Sequence, residues 1–349
     1  MTGVQTCALP ICYDGQAFVC VSSTGVFCRL TCPARKPKPE NCTFQATIGA
    51  CIEAGFRACK RCHPLQAAAL ADPTIAILLA ALDDRPGLRW SETHIAQLGY
   101  DVSTVRRSFQ RQFGMTFLEM ARQRHLREGF ETLAFGGSVI EAQHQASFES
   151  ASAFRAAFAR LLGCAPAALH LNCMLSATWI PTPLGDMVAV SSQSHLYLLE
   201  FVDRKGLPGE LKRLQAASKQ GIGIGAPPPS VQAASELADY FAARSDKFAT
   251  PLALEGSAFT RQVWNALREI PVGQTRSYSD IARQIGRPLA TRAVARANGA
   301  NQIALMVPCH RVIGADGSLT GYGGGLWRKQ RLIEIERQLK TAQTETIAQ

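Results

Sequence analysis

A chain of 349 residues, 47% of them apolar and without a long low-complexity run, is large enough for two to four globular domains. It contains no run of 18 or more apolar residues, so no segment is expected to span a membrane. The net charge of +10 fits a polyanionic partner without specifying one, and the twelve cysteines, eight of them before position 60, argue against a small secreted disulfide scaffold. A reducing cytoplasm with thiolate chemistry fits better.

Residues 1–11 lack a basic n-region, and Val4-Gln5-Thr6-Cys7-Ala8-Leu9-Pro10-Ile11 looks like translated sequencing adapter, so this stretch is expected to be a non-native leader. The first chemical signal follows at Cys28-x3-Cys32 and, after 26 intervening residues, Cys59-x2-Cys62. Two close thiol pairs joined by a loop are how a chain presents four thiolates tetrahedrally to Zn2+. The intervening stretch, 33–58, is rich in turn formers and reads as a loop. Closed four-cysteine sites are more often structural than reactive. Here Arg29, Arg35, Lys36, Lys38, Arg57, Lys60 and Arg61 crowd the ligands, which points the site toward phosphates. Four thiolates around zinc carry a local charge of about minus two, and methylating one sulfur would remove one unit of it. A unit change about 7 Å from a phosphate is worth roughly 0.6 kcal/mol in water and about 2.4 at an effective dielectric constant of 20, a usable switch when summed over several phosphates.

Thr24-Gly25-Val26-Phe27-Cys28-Arg29, Cys32-Pro33-Ala34-Arg35 and Ala54-Gly55-Phe56-Arg57-Ala58-Cys59-Lys60-Arg61-Cys62 resemble the metal-binding domain of the Ada family of adaptive-response proteins. The resemblance implies that Cys28, the first of the four ligands, accepts methyl groups from methylphosphotriesters. That family carries a helical segment before Asp14-Gly15, where this chain has residues 1–11.

Helical spacing runs from 73 to 84, and Ser91 to Gly99 reads as a short helix ended by glycine. Asp101 then caps a helix over 102–113 that turns Val105, Phe109 and Phe113 inward and leaves Arg106, Arg107 and Arg111 outward. The pattern repeats. Ser138 opens one helix, and 151–162 forms another with Phe154, Phe158 and Leu161 inward and Arg155 and Arg160 free. Between 102 and 127 lie six arginines and a single acid, Glu119. Helix, turn and arginine-bearing helix, twice over, is a doubled helix-turn-helix layout, and it resembles the AraC-family DNA-binding domain. Two recognition helices in successive major-groove segments are the functional reading, and an all-helical spacer is the bland one.

After Asn172 the pattern becomes strand-like, at 179–180, 185–192 and 196–201. Residues 221–229 read as a loop, and helices are expected at 231–243 and 259–269. Ser277-Tyr278-Ser279-Asp280 opens another helix and Thr291-Arg292-Ala293-Val294 a further one. An apolar strand, 303–307, leads into Pro308-Cys309-His310-Arg311, and a last helix covers 329–339. A cysteine beside a histidine, held behind a proline at a strand end, suggests a thiol that a base activates.

This half resembles the O6-alkylguanine-DNA alkyltransferases. The resemblance implies that Cys309 takes the alkyl group irreversibly, that His310 draws its proton through a water molecule, that Glu336 orients His310, and that Asn301 braces the turn. It also implies base flipping, with Arg292 filling the vacated space, Tyr278 helping to rotate the nucleotide and protonate the leaving guanine, and Gly321-Tyr322-Gly323-Gly324-Gly325 forming a pocket wall.

The expected architecture is multidomain α+β. A four-cysteine zinc domain at 12–66 precedes an all-α doubled helix-turn-helix domain at 72–172. An alkyltransferase half follows, with a small β-sheet subdomain at 176–250 and a helical catalytic subdomain at 256–340. The expected partners are double-stranded DNA, both alkylated and promoter, and RNA polymerase, for a monomeric cytoplasmic chain that repairs bases and switches on repair genes. Two other readings stay open: a DNA-binding regulator without catalysis, and base repair beside a purely structural zinc site.

Overall fold

The computed structural model describes residues 17–30, 32, 34, 35, 37–45, 48–62, 64, 73–163, 165–168, 173–218 and 221–347, leaving aside the side chains of 48, 49, 73, 111, 168 and 341–347. The expected leader, 1–11, and the Asp14-Gly15 junction lie outside the described residues. Two compact units are distinguished, one of residues 1–84 with 93–112 and the other of 85–92 with 113–349.

In the first unit, strands β1 (Phe18–Val21), β2 (Val26–Arg29), β3 (Cys42–Gln45) and β4 (Arg57–Ala58) form a sheet of order β3-β1-β2-β4, with helix α1 (Ile48–Glu53) preceding β4. Stretch 33–58 is thus no loop. Its β3 is short and pairs antiparallel with β1, so tertiary pairing rather than local periodicity makes it a strand. Strand alternation sorts the side chains: Phe18, Cys20 and Phe27 pack with Cys51, while Val19, Val21 and Cys28 pack with Cys59 and Cys62. Among the described residues this unit also holds α2 (Pro73–Asp84) and nearly all of α3 (Glu92–Gln97) and α4 (Val102–Phe113). Gly99, at φ +83°, makes the turn between α3 and α4 that a side-chain-bearing residue would resist. Asp101 Oδ1 accepts hydrogen bonds from Thr104 N (2.8 Å) and Ser103 Oγ (2.7 Å), and these hold its carboxyl down at about 2. Val105 and Phe109 face inward, as their spacing requires.

The second unit opens with α5 (Phe117–Ala134), whose start is fixed by reciprocal hydrogen bonds between Thr116 and Glu119. Helix α6 (Val139–Gln145) carries the same device at Ser138 and Glu141, and α7 (Ala151–Leu162) ends at Gly163 in the left-handed region. Gly129 lets α5 and α6 touch: a Cβ there would stand 2.9 Å from the Ala142 carbonyl.

Strands β5 (Leu175–Ile180), β6 (Met187–Ser191) and β7 (Leu196–Phe201) run antiparallel; after α8 (Leu207–Ala217), β8 (Ile222–Ile224) adds parallel to β5. The expected loop at 221–229 therefore contains a strand. Three residues with a central glycine carry too little pattern to announce it, and pairing with β5 supplies the hydrogen bonds.

Both faces of this sheet are covered. Met187, Ala189 and Leu199 enter one core with α9 (Pro228–Phe241) and α10 (Ala258–Arg268). Val188, Val190 and Leu198 enter another with Phe130, Phe154, Phe158 and α8. Helices α5 to α7 are thus packed on this sheet, Phe130 lying 5.5 Å from Trp179 between ring centres. The second unit continues with β9 (Arg276–Ser277), α11 (Tyr278–Gln284), α12 (Thr291–Gly299), β10 (Val312–Ile313) and α13 (Leu326–Ile347). Mixed α+β architecture is what the sequence implied.

Candidate functional site

The apolar run at 303–307 is not a strand. Only Ile303 bridges to Leu199, Leu305 adopts φ +68°, and Cys309 starts a short 3-10 turn over Cys309–Arg311. The run is apolar because it is buried in the core between β7 and the catalytic helices; its backbone donors and acceptors are met by turns, such as Cys309 N donating to Val307 O at 2.8 Å across Pro308.

Asn301 ties this irregular segment together. Its Nδ2 donates to Val307 O at 2.8 Å and to Cys309 Sγ at 3.1 Å, and its Oδ1 accepts from Ile303 N at 3.0 Å. Cys309 is buried, and burial pushes its thiol up to about 11 against the pull of Asn301, Lys329 and Arg204, with Glu200 adding to the rise. The resting group is therefore a thiol, and its proton must leave during or before transfer.

His310 is fully buried, with Nε2 2.7 Å from Glu336 Oε1. Burial lowers its basicity, opposed by Glu336, so the imidazole rests neutral and can act as a base. Its Nδ1, equally buried, has no hydrogen-bond partner among the described residues, which leaves one ring nitrogen for a proton coming from the cysteine side. Glu336 is itself held by Arg311 (2.9 Å to Oε2 and 2.8 Å to Oε1) and by Tyr240 Oη at 3.0 Å. Burial works against its ionisation, but His310 and Arg311 prevail and hold it at about 2.

Tyr278 is half-buried, and its hydroxyl donates to Thr320 O at 3.4 Å, beside the glycine run. That run contains glycine because side chains occupy the Cβ positions: Tyr278 Oη stands 3.3 Å from the one at Gly321, and Arg204 Nε 2.5 Å from the one at Gly323. Arg292 is exposed on α12, with Arg296 one turn on. A small cavity reaches Cys309 and is lined also by Asn301, Tyr322, Glu200 and Arg204. Glu200, Arg204 and Lys329 escape sequence reading. Two come from the sheet subdomain, distant in sequence, and Lys329, although fully buried with Nζ 2.5 Å from Val312 O and Thr320 O, looks like any helix lysine.

The four predicted ligands, Cys28, Cys32, Cys59 and Cys62, do converge, their sulfurs all within 4.8 Å of one another and Cys32 Sγ 3.9 Å from Cys59 Sγ. A tetrahedron with Zn–S of about 2.3 Å needs edges near 3.8 Å, so the set fits zinc. Backbone N–H groups of Arg29 (3.3 Å to Cys62) and Arg61 (3.4 Å to Cys59) support the sulfurs. The hydrogen bonds that Cys28 shares with Cys32 push Cys28 far up and hold Cys32 down at about 2, a mutual conflict that a divalent cation among four thiolates would remove. Zinc supplies charge neutralisation and fixes the sulfurs in place. Cys28 is 9% exposed, Cys59 8% and Cys62 6%, while Cys32 is half-buried.

Arg35, Arg106, Arg107 and Arg155 are all exposed, as required of phosphate contacts, while the side chain of Arg111 lies outside the described set. Among the described residues no helix is long and apolar enough to cross a membrane.

Residues 11–64 match the metal binding domain of Ada, 95–170 a helix-turn-helix domain, and 258–338 the DNA binding domain of 6-O-methylguanine DNA methyltransferase. The chain is 34% identical over 348 residues to the bifunctional transcriptional activator/DNA repair enzyme Ada of Escherichia coli, covering 93% of this chain and 92% of that one. It is 43% identical over 164 residues to the methylated-DNA–protein-cysteine methyltransferase of Mycobacterium leprae, covering 47% of this chain and 93% of that one. The crystal structure of Mycobacterium tuberculosis O6-methylguanine methyltransferase aligns with 47% of this chain and 94% of its own, at 41% identity and a TM-score of 0.42. Zinc-binding domain, helix-turn-helix and protein-cysteine methyltransferase in one chain, with the likeness extending over nearly its whole length, make this protein a member of the Ada family.

Proposed function

We propose that the chain removes methyl groups from DNA bases onto Cys309 and from backbone phosphotriesters onto Cys28, and that methylation of Cys28 converts it into an activator of repair genes. The observation that carries the first half is the arrangement at Cys309: a buried thiol braced by Asn301, next to a neutral imidazole anchored to an ionised carboxylate. In the base reaction the O–CH3 bond of O6-methylguanine, and of O4-methylthymine, breaks and an S–CH3 bond forms. The thiol proton passes to the His310 side, and Tyr278 returns a proton to the leaving guanine. The product is a thioether that no group in the site can reverse, so each chain acts once.

Exposed Arg292 on α12 fits the space left by the flipped nucleotide, and exposed Arg106, Arg107 and Arg155 fit phosphates or base edges. Labour divides along the parts at 12–66, 72–172, 176–250 and 256–340. RNA polymerase is the partner of the activated form, and the chain acts as a cytoplasmic monomer.

The test is intact-protein mass and peptide mapping after incubation with O6-methylguanine DNA and then with methylphosphotriester DNA. One methyl on Cys309 from the first and one on Cys28 from the second is the expected result. No mass shift from either would leave a DNA-binding regulator without catalysis. A second reading, base repair beside a structural zinc site, draws support from the low exposure of Cys28, and methyl on Cys309 alone would favour it.

A further inference from the structure

One guanidinium in the acceptor pocket touches four segments of the fold. Arg204, in the turn after β7, is almost wholly buried at its side chain. Its Nη1 lies 2.5 Å from Glu210 Oε2 on α8, its Nε 3.4 Å from Glu200 Oε2 on β7, and its Nη2 donates to Gly299 O, the last residue of α12, at 3.2 Å. Its Nε also fills the place that a side chain on Gly323 would take. Cys309, Asn301 and Tyr322 line the same cavity.

We propose that Arg204 is a positioning residue for methyl transfer: its fork fastens the end of the DNA-facing helix α12 to the glycine wall of the pocket and sets a fixed positive charge beside the Cys309 thiol. This rests on Cys309 being the acceptor. A guanidinium suits the task because it is planar, permanently charged and able to hold several oxygens at once, whereas an ammonium is a single flexible point. The charges around it are of both signs, with Glu200 acting on the thiol more strongly than Arg204 and Arg328 adding a further cation to the cluster. Glu200 and Glu210 oppose it, with Glu200 itself pushed up to about 7 by burial and so a weaker anion at neutral pH. Lys329 on α13 adds to it from another side. Tyr278 and Tyr322 stay neutral, both raised by burial, His310 rests neutral as well, and the Glu336 carboxylate beside it is paired with Arg311. The sheet subdomain, which holds none of the residues that the sequence points to, thereby enters the chemistry.

The test compares the full-length chain with Arg204→Met and Arg204→Lys in three measurements: single-turnover methyl transfer from O6-methylguanine DNA, affinity for undamaged DNA, and the pH dependence of Cys309 alkylation by iodoacetamide followed by peptide mapping. Arg204→Met should slow transfer about tenfold and raise the midpoint of thiol labelling by about one pH unit, while affinity changes less than about twofold. Arg204→Lys should bring the midpoint back and recover only part of the rate. Parental rates and midpoint in Arg204→Met overturn the proposal, and so does a slower rate with an unmoved midpoint, which would mean mere filling of space. If Arg204→Met fails to fold, Glu200→Gln decides: the midpoint should fall, and an unchanged one overturns the proposal. Should the parent chain take no methyl at Cys309, the proposed function fails, while the labelling arm still judges Arg204.

Discussion

Cys28 lies on one face of a small sheet among three other sulfurs, and its neighbours hold it only if a cation joins them. Cys309 lies in a turn inside a large core, where Asn301 reaches its sulfur and His310, Glu336, Arg311 and Tyr240 form a closed chain of partners beside it. By the proposed function the first thiol would take its reactivity from a metal, and the second from hydrogen bonds that the fold itself maintains. A thiolate site can therefore be assembled cheaply in a few dozen residues with zinc, whereas doing it without metal takes helices from both ends of a domain.

Exchanging the nucleophiles breaks the comparison most severely. Cys309→Ala should accept no methyl from O6-methylguanine DNA and still accept one from phosphotriester DNA, with Cys28→Ala showing the reverse; mass mapping reads both. Methyl from O6-methylguanine DNA on Cys28 of Cys309→Ala, or from phosphotriester DNA on Cys309 of Cys28→Ala, would erase the distinction.

Next in size is metal removal. Structural zinc contributes on the order of 10 kcal/mol or more to such small domains, so chelation should unfold the segment around β1–β4 while Cys309 transfer stays within about twofold. Circular dichroism and single-turnover rates follow the two halves separately, and a parallel loss of base repair would show that the sites are not independent.

Removing one partner of a buried ion pair costs about 3–5 kcal/mol, and Glu336→Gln should destabilise the second unit by that order and slow transfer at Cys309. The carboxyl is held at about 2 against an ordinary 4.5. Its contribution is complete above the unfolded value and disappears as pH falls from 4.5 through 2, so the parent's melting temperature should drop across that window and the variant's should not drop for this reason. Equal slopes in calorimetry would contradict the assignment.

The smallest effect is expected far from either thiol. Arg106→Ala or Arg155→Ala should leave both transfers intact and reduce by about one the slope of log affinity for DNA against log salt, as for one lost phosphate contact. An unchanged slope would remove that arginine from the interface.

What sequence could tell follows the same division. The bounds of helices α4 and α7 are legible to the residue, because a cap at Asp101 or a glycine at Gly163 brackets an apolar stripe, although α7 buries Leu162 more fully than the expected Leu161. The four zinc ligands and Cys309, His310, Asn301 and Glu336 were legible from motif and resemblance, and geometry brings each set together. Helix α5 is absent from the sequence reading, because several of its faces are covered and leave no simple stripe. Strands β3, β4 and β8 are defined by their partners. The run at 303–307 misled because burial alone makes residues apolar, whatever the backbone does. Arg204, Glu200, Tyr240 and Lys329 were invisible, since a buried charged side chain differs from a solvated one only in the company it keeps.

The sheet β5–β8 has consequences for ancestry. Since Phe130 and Phe158 share a core with Trp179, Val188 and Leu198, a lineage could not exchange its repair half for another by recombination near residue 170 without also exchanging a matched apolar surface. Among descendants, substitutions at Phe130 and Trp179 should be correlated even though one belongs to the gene-reading part and the other to the methyl-accepting part. Heredity would treat them as a single character.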